Sequence, residues 1–312
     1  MKHLLLTLYI LSFFLCFCCS DNLDNNSKFS KASSVQDEYF QLPESFSGKI
    51  AFQSDKDGDN EIYLLSKEGI KKLTNNTYQD EYPIFDPTGD WILYQANPNG
   101  GNNYDIFMMK SDGSSIQKII ATPNKESEAT FYSSDLAIIA YTYNDNEIHI
   151  YNKNKNKDEI IKNIKGMRCI LPIWSPVNNY IIYTGKRLIG WDVALYKNEK
   201  EGSSFLTDGG KSCRARWSHK EDKLAFVSNR ADGKGDIWIM NADGSNQQQT
   251  TTDDKTYEYY PSWSPDDKFI VYSSSIDKKR GNWSLWIIEI NTQKKWKIYD
   301  SKGQDVFPTW SK

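Results

Sequence analysis

Apolar residues in this chain fall in short bursts, rich in β-branched and aromatic side chains and separated by polar turns. Trp91-Ile92-Leu93-Tyr94 and Phe269-Ile270-Val271-Tyr272 are examples. So are Asp105-Ile106-Phe107-Met108, Glu147-Ile148-His149-Ile150 and Asp236-Ile237-Trp238-Ile239. The breaks carry Ser-Pro or Asp-Pro turns and Gly turns such as Glu68-Gly69, Asp112-Gly113 and Asp243-Gly244. Bursts of this kind predict strands, because β-branched and aromatic side chains suit a pleated, half-buried surface.

An internal repeat orders the bursts. One phrase reads YPIFDPTGDWILYQ from Tyr82, EATFYSSDLAIIAY from Glu128 and LPIWSPVNNYIIYT from Leu171. It returns as RARWSHKEDKLAFVS from Arg214, YPSWSPDDKFIVYS from Tyr260 and FPTWSK from Phe307. Its anchor aromatic stands at Phe85, Phe131, Trp174, Trp217, Trp263 and Trp310, at intervals of 43 to 47 residues. A period of about 40–50 residues built from short strands belongs to a β-propeller with four strands per blade.

The two ends of the repeat complement each other. The array enters at Gly48-Lys49-Ile50-Ala51-Phe52, which matches a second strand, and stops at Trp310-Ser311-Lys312, just after a first strand. The prediction is an all-β, six-bladed β-propeller with a split blade closed by the C-terminal strand. Closure leaves no long unpaired edge between the first and last blades. The competing reading is an open solenoid, which the complementary ends disfavour.

Residues 1–19, MKHLLLTLYILSFFLCFCC, pair a basic start with a long apolar run and read as a secretory signal peptide. Cys19 is the candidate lipidation site of a bacterial lipoprotein, since Ser20 and a polar tail follow it; an ordinary cleaved signal is the alternative. Residues 20–47 read as a disordered tether, poor in apolar side chains. The propeller is expected over 48–312. Beyond the leader only Cys169 and Cys213 remain, too few for a disulfide scaffold, though the two could bridge if close enough. A net charge of −3 argues against binding nucleic acid through phosphate contacts.

The phrases YPSWSPDD with IVYSS, and SNRADGKGDIWIMNADGSN (Ser228 to Asn246), resemble the propeller repeats of the TolB family. They are also similar to the propeller domains of dipeptidyl peptidase and prolyl oligopeptidase relatives. The resemblance implies a six-bladed propeller in the cell envelope that works by binding partners. TolB itself carries an additional α/β domain before its propeller, for which residues 20–47 leave no counterpart, so its place in the Tol system is not carried over. The peptidases' hydrolase domain has no counterpart here either.

Candidate chemistry is sparse. His149 sits on a third strand and His219 in a turn, and no G-x-S-x-G elbow supplies a serine nucleophile. The stretch SDKDGDNEIY (Ser54 to Tyr63) looks at first like a calcium loop. An EF-hand starting at Asp55 would need Gly at its sixth position and Glu at its twelfth, where Asn60 and Ser66 stand. It reads better as a hairpin between second and third strands. No cofactor and no metal are expected.

Innermost strands line the axial channel, so residues just before each anchor should lie near its mouth. Asp80, Glu126, Glu258 and Asp305, five places before their anchors, suggest an acidic sector. Arg168, Arg214 and Arg216 suggest a basic one, bordered by Tyr78, Tyr82, Tyr257, Tyr259, Tyr260 and Phe307. The alternative is that the carboxylates only tie neighbouring blades and the aromatics fill space. The expected function is a monomeric, exported, lipid-anchored binding or scaffolding module of the periplasm or outer membrane. It would take an envelope protein or peptide segment at the channel mouth and touch the membrane through its lipid only. The competing function is a polysaccharide-acting lyase or hydrolase using channel-mouth carboxylates.

Overall fold

Six antiparallel sheets stand in a ring, each one repeat of the sequence. The structure, a computed structural model, describes residues 38–39, 42–133, 135–161, 167–278, 282–301 and 303–312. The signal peptide, Cys19 and the tether up to residue 37 lie outside the described residues.

After a short β1 (Glu38–Tyr39), the first blade holds β2 (Lys49–Ser54), β3 (Glu61–Ser66) and β4 (Gly69–Lys72). The second holds β5 (Asp80–Phe85), β6 (Trp91–Ala96), β7 (Asp105–Lys110) and β8 (Gln117–Ile120). The third holds β9 (Glu126–Tyr132), β10 (Asp135–Tyr143), β11 (Glu147–Asn152) and β12 (Lys157–Ile160). The fourth holds β13 (Cys169–Trp174), β14 (Ile181–Arg187), β15 (Gly190–Asn198) and β16 (Gly202–Phe205). The fifth holds β17 (Ser212–Trp217), β18 (Lys223–Ser228), β19 (Asp236–Asn241) and β20 (Gln248–Gln249). The sixth holds β21 (Tyr257–Trp263), β22 (Phe269–Ser275), β23 (Trp283–Glu289) and β24 (Lys295–Asp300). The last strand, β25 (Val306–Ser311), returns to the first blade and pairs with β2, Ile50 opposite Trp310. The expected split blade is the one observed, and the described residues contain no helix.

Anchor aromatics stitch neighbouring blades together. The Trp217 indole donates to the Ile173 carbonyl (3.3 Å) and the Trp263 indole to the Arg216 carbonyl (3.1 Å), one blade back in each case. Each bond satisfies a polar edge on a ring otherwise buried among apolar side chains, as buried Trp requires. The apolar clusters accordingly run between blades: Trp310 and Ile50 of the first blade pack with Phe269 and Ile287 of the sixth.

The folded unit begins before residue 48. β1 adds a fifth strand to the sixth blade, Tyr39 opposite Tyr299, and so covers an outer edge. Phe46 is buried and stacks on Trp310 at 5.2 Å, while the Trp310 indole donates to the Ser47 carbonyl at 2.8 Å. The polar composition of 20–47 concealed these contacts, because a few residues, Leu42 and Phe46 among them, are enough to pin the entry of the chain.

Cys169 and Cys213 are both buried and form no disulfide, which corrects the bridge considered from the sequence. Cys169 stands five places before its anchor and Cys213 four, and successive side chains of a strand point to opposite faces. Cys169 therefore packs with Trp174 and Tyr183, and Cys213 with Ile170, Trp191 and Tyr259.

Candidate functional site

Every innermost strand carries one bulge at the same place. Tyr82, Glu128, Leu171, Arg214, Tyr260 and Phe307, each three places before its anchor, have φ between 54° and 59°. The pairing register shifts at these points, for example between Glu81 and Ile84, Cys213 and Arg216, and Tyr259 and Ser262. Four of the six precede a proline (Pro83, Pro172, Pro261, Pro308), which has no N–H to leave unpaired in a bulge. A left-handed backbone at a bulky residue is uncommon, and its recurrence in every blade marks it as part of the design of the channel.

The bulge swings these side chains together around the axis. The Tyr82 and Phe307 rings lie 3.7 Å apart, Tyr260 and Phe307 3.9 Å apart, and the Arg214 guanidinium sits 5.0 Å from the Tyr260 ring. On the other side Glu128 accepts from the Leu171 N–H (2.8 Å) and the Thr142 hydroxyl (2.7 Å). Between the two sides lies a small cavity of about 10 Å³, lined by Tyr82, Glu128, Leu171, Arg216 and Phe307 among others. Of these, Arg216 stands one place before an anchor. Among the described residues its guanidinium donates only to the Ala215 carbonyl, at 3.4 Å. Burial pulls its pKa down to about 10, Glu128 across the cavity holding it up and Arg214 pressing it lower, so it remains a cation at neutral pH.

The four carboxylates expected at the mouth do not come together there. Asp80, Glu126, Glu258 and Asp305 are all buried, each at the start of an inner strand and bound by the loop just before it. Asp80 accepts from Asn76 (2.6 Å), Glu126 from the Thr122 N–H and hydroxyl, and Glu258 from the Thr256 hydroxyl. Asp305 accepts from the Ser301 N–H (2.8 Å) and from the Ser54 and Ser301 hydroxyls (both 2.7 Å). This corrects the acidic sector: these side chains fasten outer loops to inner strands. A parallel device binds the third strands, where the Thr74 hydroxyl donates to Glu61 (2.6 Å) and accepts from the Ile62 N–H (2.9 Å). Thr207 does the same for Asp192 and Val193, at 2.9 Å each.

The remaining expected residues divide. Arg214 and Tyr260 are in the axial ring and Arg216 is in the cavity, as above. Arg168 is exposed on a blade-connecting loop, donating to the Asp145 carbonyl (2.6 Å) and lying over the Trp191 ring. Tyr257 sits near the start of its inner strand with Lys278 over its ring at 4.5 Å, away from the cavity lining. Glu128 was not singled out by sequence reasoning. The signal available was its position: it is the one acid among the six residues three places before an anchor.

SDKDGDNEIY forms the β2–β3 hairpin. Asp55 accepts from the Gln304 N–H (2.7 Å), and Asp57 accepts from the Tyr63 hydroxyl (2.5 Å) and pairs with Lys72 (3.2 Å). Among the described residues no group of three or more His, Cys, Asp or Glu side chains is placed to hold a metal ion. His149 lies on β11 with Asp158 at 2.7 Å, and His219 pairs with Asp267 at 3.2 Å in a turn.

Residues 168–312 match the family model of the TolB beta propeller domain. Among solved structures, TolB from Acinetobacter baumannii superposes with a TM-score of 0.72 at 18% identity, covering 86% of this chain and 68% of that one. The chain is a six-bladed β-propeller whose residues 168–312 match the TolB propeller model. A TolB-assigned protein from Agrobacterium tumefaciens gives 0.65 at 15% identity, over 81% of this chain and 89% of its own. An oligogalacturonate lyase in complex with manganese gives 0.50 at 10% identity, over 84% and 73%. These likenesses, all of low identity, show the shared fold. No curated protein matches the chain.

Proposed function

We propose that this chain is an exported, lipid-anchored TolB-like propeller that binds a protein or peptide segment at its channel mouth, as a scaffolding module of the bacterial cell envelope. The observation that carries the reading is the Arg216 guanidinium, facing a cavity with only one carbonyl bonded to it. Tyr82 and Phe307 on the same wall supply flat apolar contact, and Arg and Tyr are frequent anchors in protein interfaces. The leader and the likeness to TolB support an envelope location. The polysaccharide-enzyme reading loses its proposed acid and base, since Glu258 and Asp305 are buried under their own loops.

Affinity capture from native membranes tests the binding role, comparing the full chain with Arg216→Ala. Arg216 is the position substituted because Glu258 and Asp305 are buried and their replacement would disrupt folding. A discrete protein held by the parent and released by Arg216→Ala is the expected result. Repeated capture of nothing, or of the same proteins by both, would overturn the reading. Incorporation of a fatty-acid analogue, abolished by Cys19→Ala, tests the anchor.

A further inference from the structure

The β14–β15 hairpin differs from the corresponding hairpins of the other blades. Arg187 pairs with Gly190, so its turn is only Leu188-Ile189, where the others are longer and mostly polar, as in DKDGDN or NPNGGNNY. Leu188 is 101% exposed and Ile189 69% exposed. Tight hairpin turns favour Asn, Asp and Gly for their backbone freedom, so turn geometry gives no reason for two aliphatic residues here.

The tip is held firmly. Gly190 has φ 153°, and a Cβ there would lie 2.0 Å from the Gly210 carbonyl oxygen. The Trp191 N–H donates to that same carbonyl (3.2 Å), and Trp191 bridges to Lys211. Around the tip stand exposed Lys186, Arg187, Lys211 and Arg168, with Arg168 and Lys186 over the Trp191 ring at 5.3 and 5.1 Å. The acids nearby include Asp192, buried and 3.7 Å from Arg187, the exposed Asp208, and Asp145, whose carbonyl accepts from Arg168 and whose carboxylate pairs with Lys125 at 2.9 Å.

We propose that this hairpin is a docking element for an anionic lipid surface. The turn protrudes and offers no pocket for a partner's side chain, whereas protein hot spots lie in packed pockets. Aliphatic side chains at a protruding tip enter the headgroup–acyl boundary, while flanking Lys and Arg lay their stems along it and keep their charges among anionic headgroups. The site lies on a hairpin of the fourth blade and stands apart from the channel cavity.

Flotation with vesicles of phosphatidylglycerol and phosphatidylcholine, or of phosphatidylcholine alone, tests the proposal. The full chain is compared with the double variant Leu188→Ser/Ile189→Ser and with Lys186→Glu/Lys211→Glu. An acylated Cys19 or the apolar leader would hold every variant to both vesicle types, so the readout is the difference between the two lipids. The parent is expected to partition about tenfold better onto anionic vesicles, a preference that both variants lose and that added salt weakens. Matching near-ultraviolet circular dichroism confirms that the variants are folded. A parent without preference for anionic lipid, or variants that keep it, would overturn the proposal, as would tip-dependent binding to a purified protein in the absence of lipid.

Discussion

The Ser54 hydroxyl donates to the Asp305 carboxylate at 2.7 Å, across 251 residues of sequence. It joins the start of the array to its end, beside the β2–β25 pairing that closes the ring. Asp305→Ala should leave the Ser54 hydroxyl and the Ser301 N–H buried without their acceptor, at a cost of roughly 1–3 kcal/mol each. Asp305→Asn keeps an acceptor and should cost less. Urea midpoints for both variants and for Ser54→Ala measure the difference. Equal stability of Asp305→Ala and the parent would show that the ring does not depend on this bond.

The buried carboxyls make stability depend on pH. Burial raises Asp80 to about 8, and Asp236, Glu258 and Asp305 to about 7, against the hydrogen bonds that Asp80, Glu258 and Asp305 accept and the charges of Lys295 and Lys234 near Asp236. Each group binds its proton more tightly in the folded chain than in the unfolded one, whose values are 3.8 for Asp and 4.5 for Glu. Their contribution is therefore full below those unfolded values and is lost as pH rises through about 7–8. Tm is expected to be higher near about pH 5 than near about pH 8, and Asp305→Asn should flatten part of that slope. A rising Tm over this interval would contradict the burial of these groups.

His149 works in the same direction by another route. Burial alone would lower its pKa, but the hydrogen bond and charge of Asp158, with Glu147 behind them, hold it above 6.5. The ion pair stabilises the folded chain fully below the unfolded value of 6.5, and the benefit fades as pH rises through the elevated folded value. An NMR titration of the His149 ring should show a midpoint above 6.5 that falls in Asp158→Asn.

The two propeller cysteines are expected to resist thiol reagents. Both are buried, and burial alone pushes the Cys169 thiol up to about 12. A thiol that stays protonated and inaccessible is a poor nucleophile. Cys169 and Cys213 should label only after unfolding, and their peptides should appear as free thiols in unreduced digests. A Cys169–Cys213 disulfide peptide would refute the packing described for both.

The ring of blades was legible because its cause is local: a phrase near an anchor aromatic recurs, and complementary ends dictate closure. The site was only half legible. Position before the anchor pointed to Arg214, Arg216 and Tyr260, which lie in or beside the axial ring. Side-chain direction was not readable, because a bulge at the third residue before each anchor resets the alternation of the strand. The strict alternation that would have brought Asp80 and Asp305 near Tyr82 is broken there, and the acids turn to their loops. The Pro after Tyr82, Leu171, Tyr260 and Phe307 was the available sign of that bulge. Phe46 was hidden for a different reason, as the few apolar residues from Tyr39 to Phe46 follow no strand alternation at the end of a polar segment.

The central claim is that the axial cavity receives a segment of another protein. A photo-crosslinking amino acid at Tyr82, on the cavity wall, reads this directly in cells, in both the parent and an Arg216→Ala background. A discrete envelope-protein adduct that forms in the parent and is lost with Arg216→Ala is predicted. No adduct at this position, or one that persists undiminished without Arg216, would contradict the account.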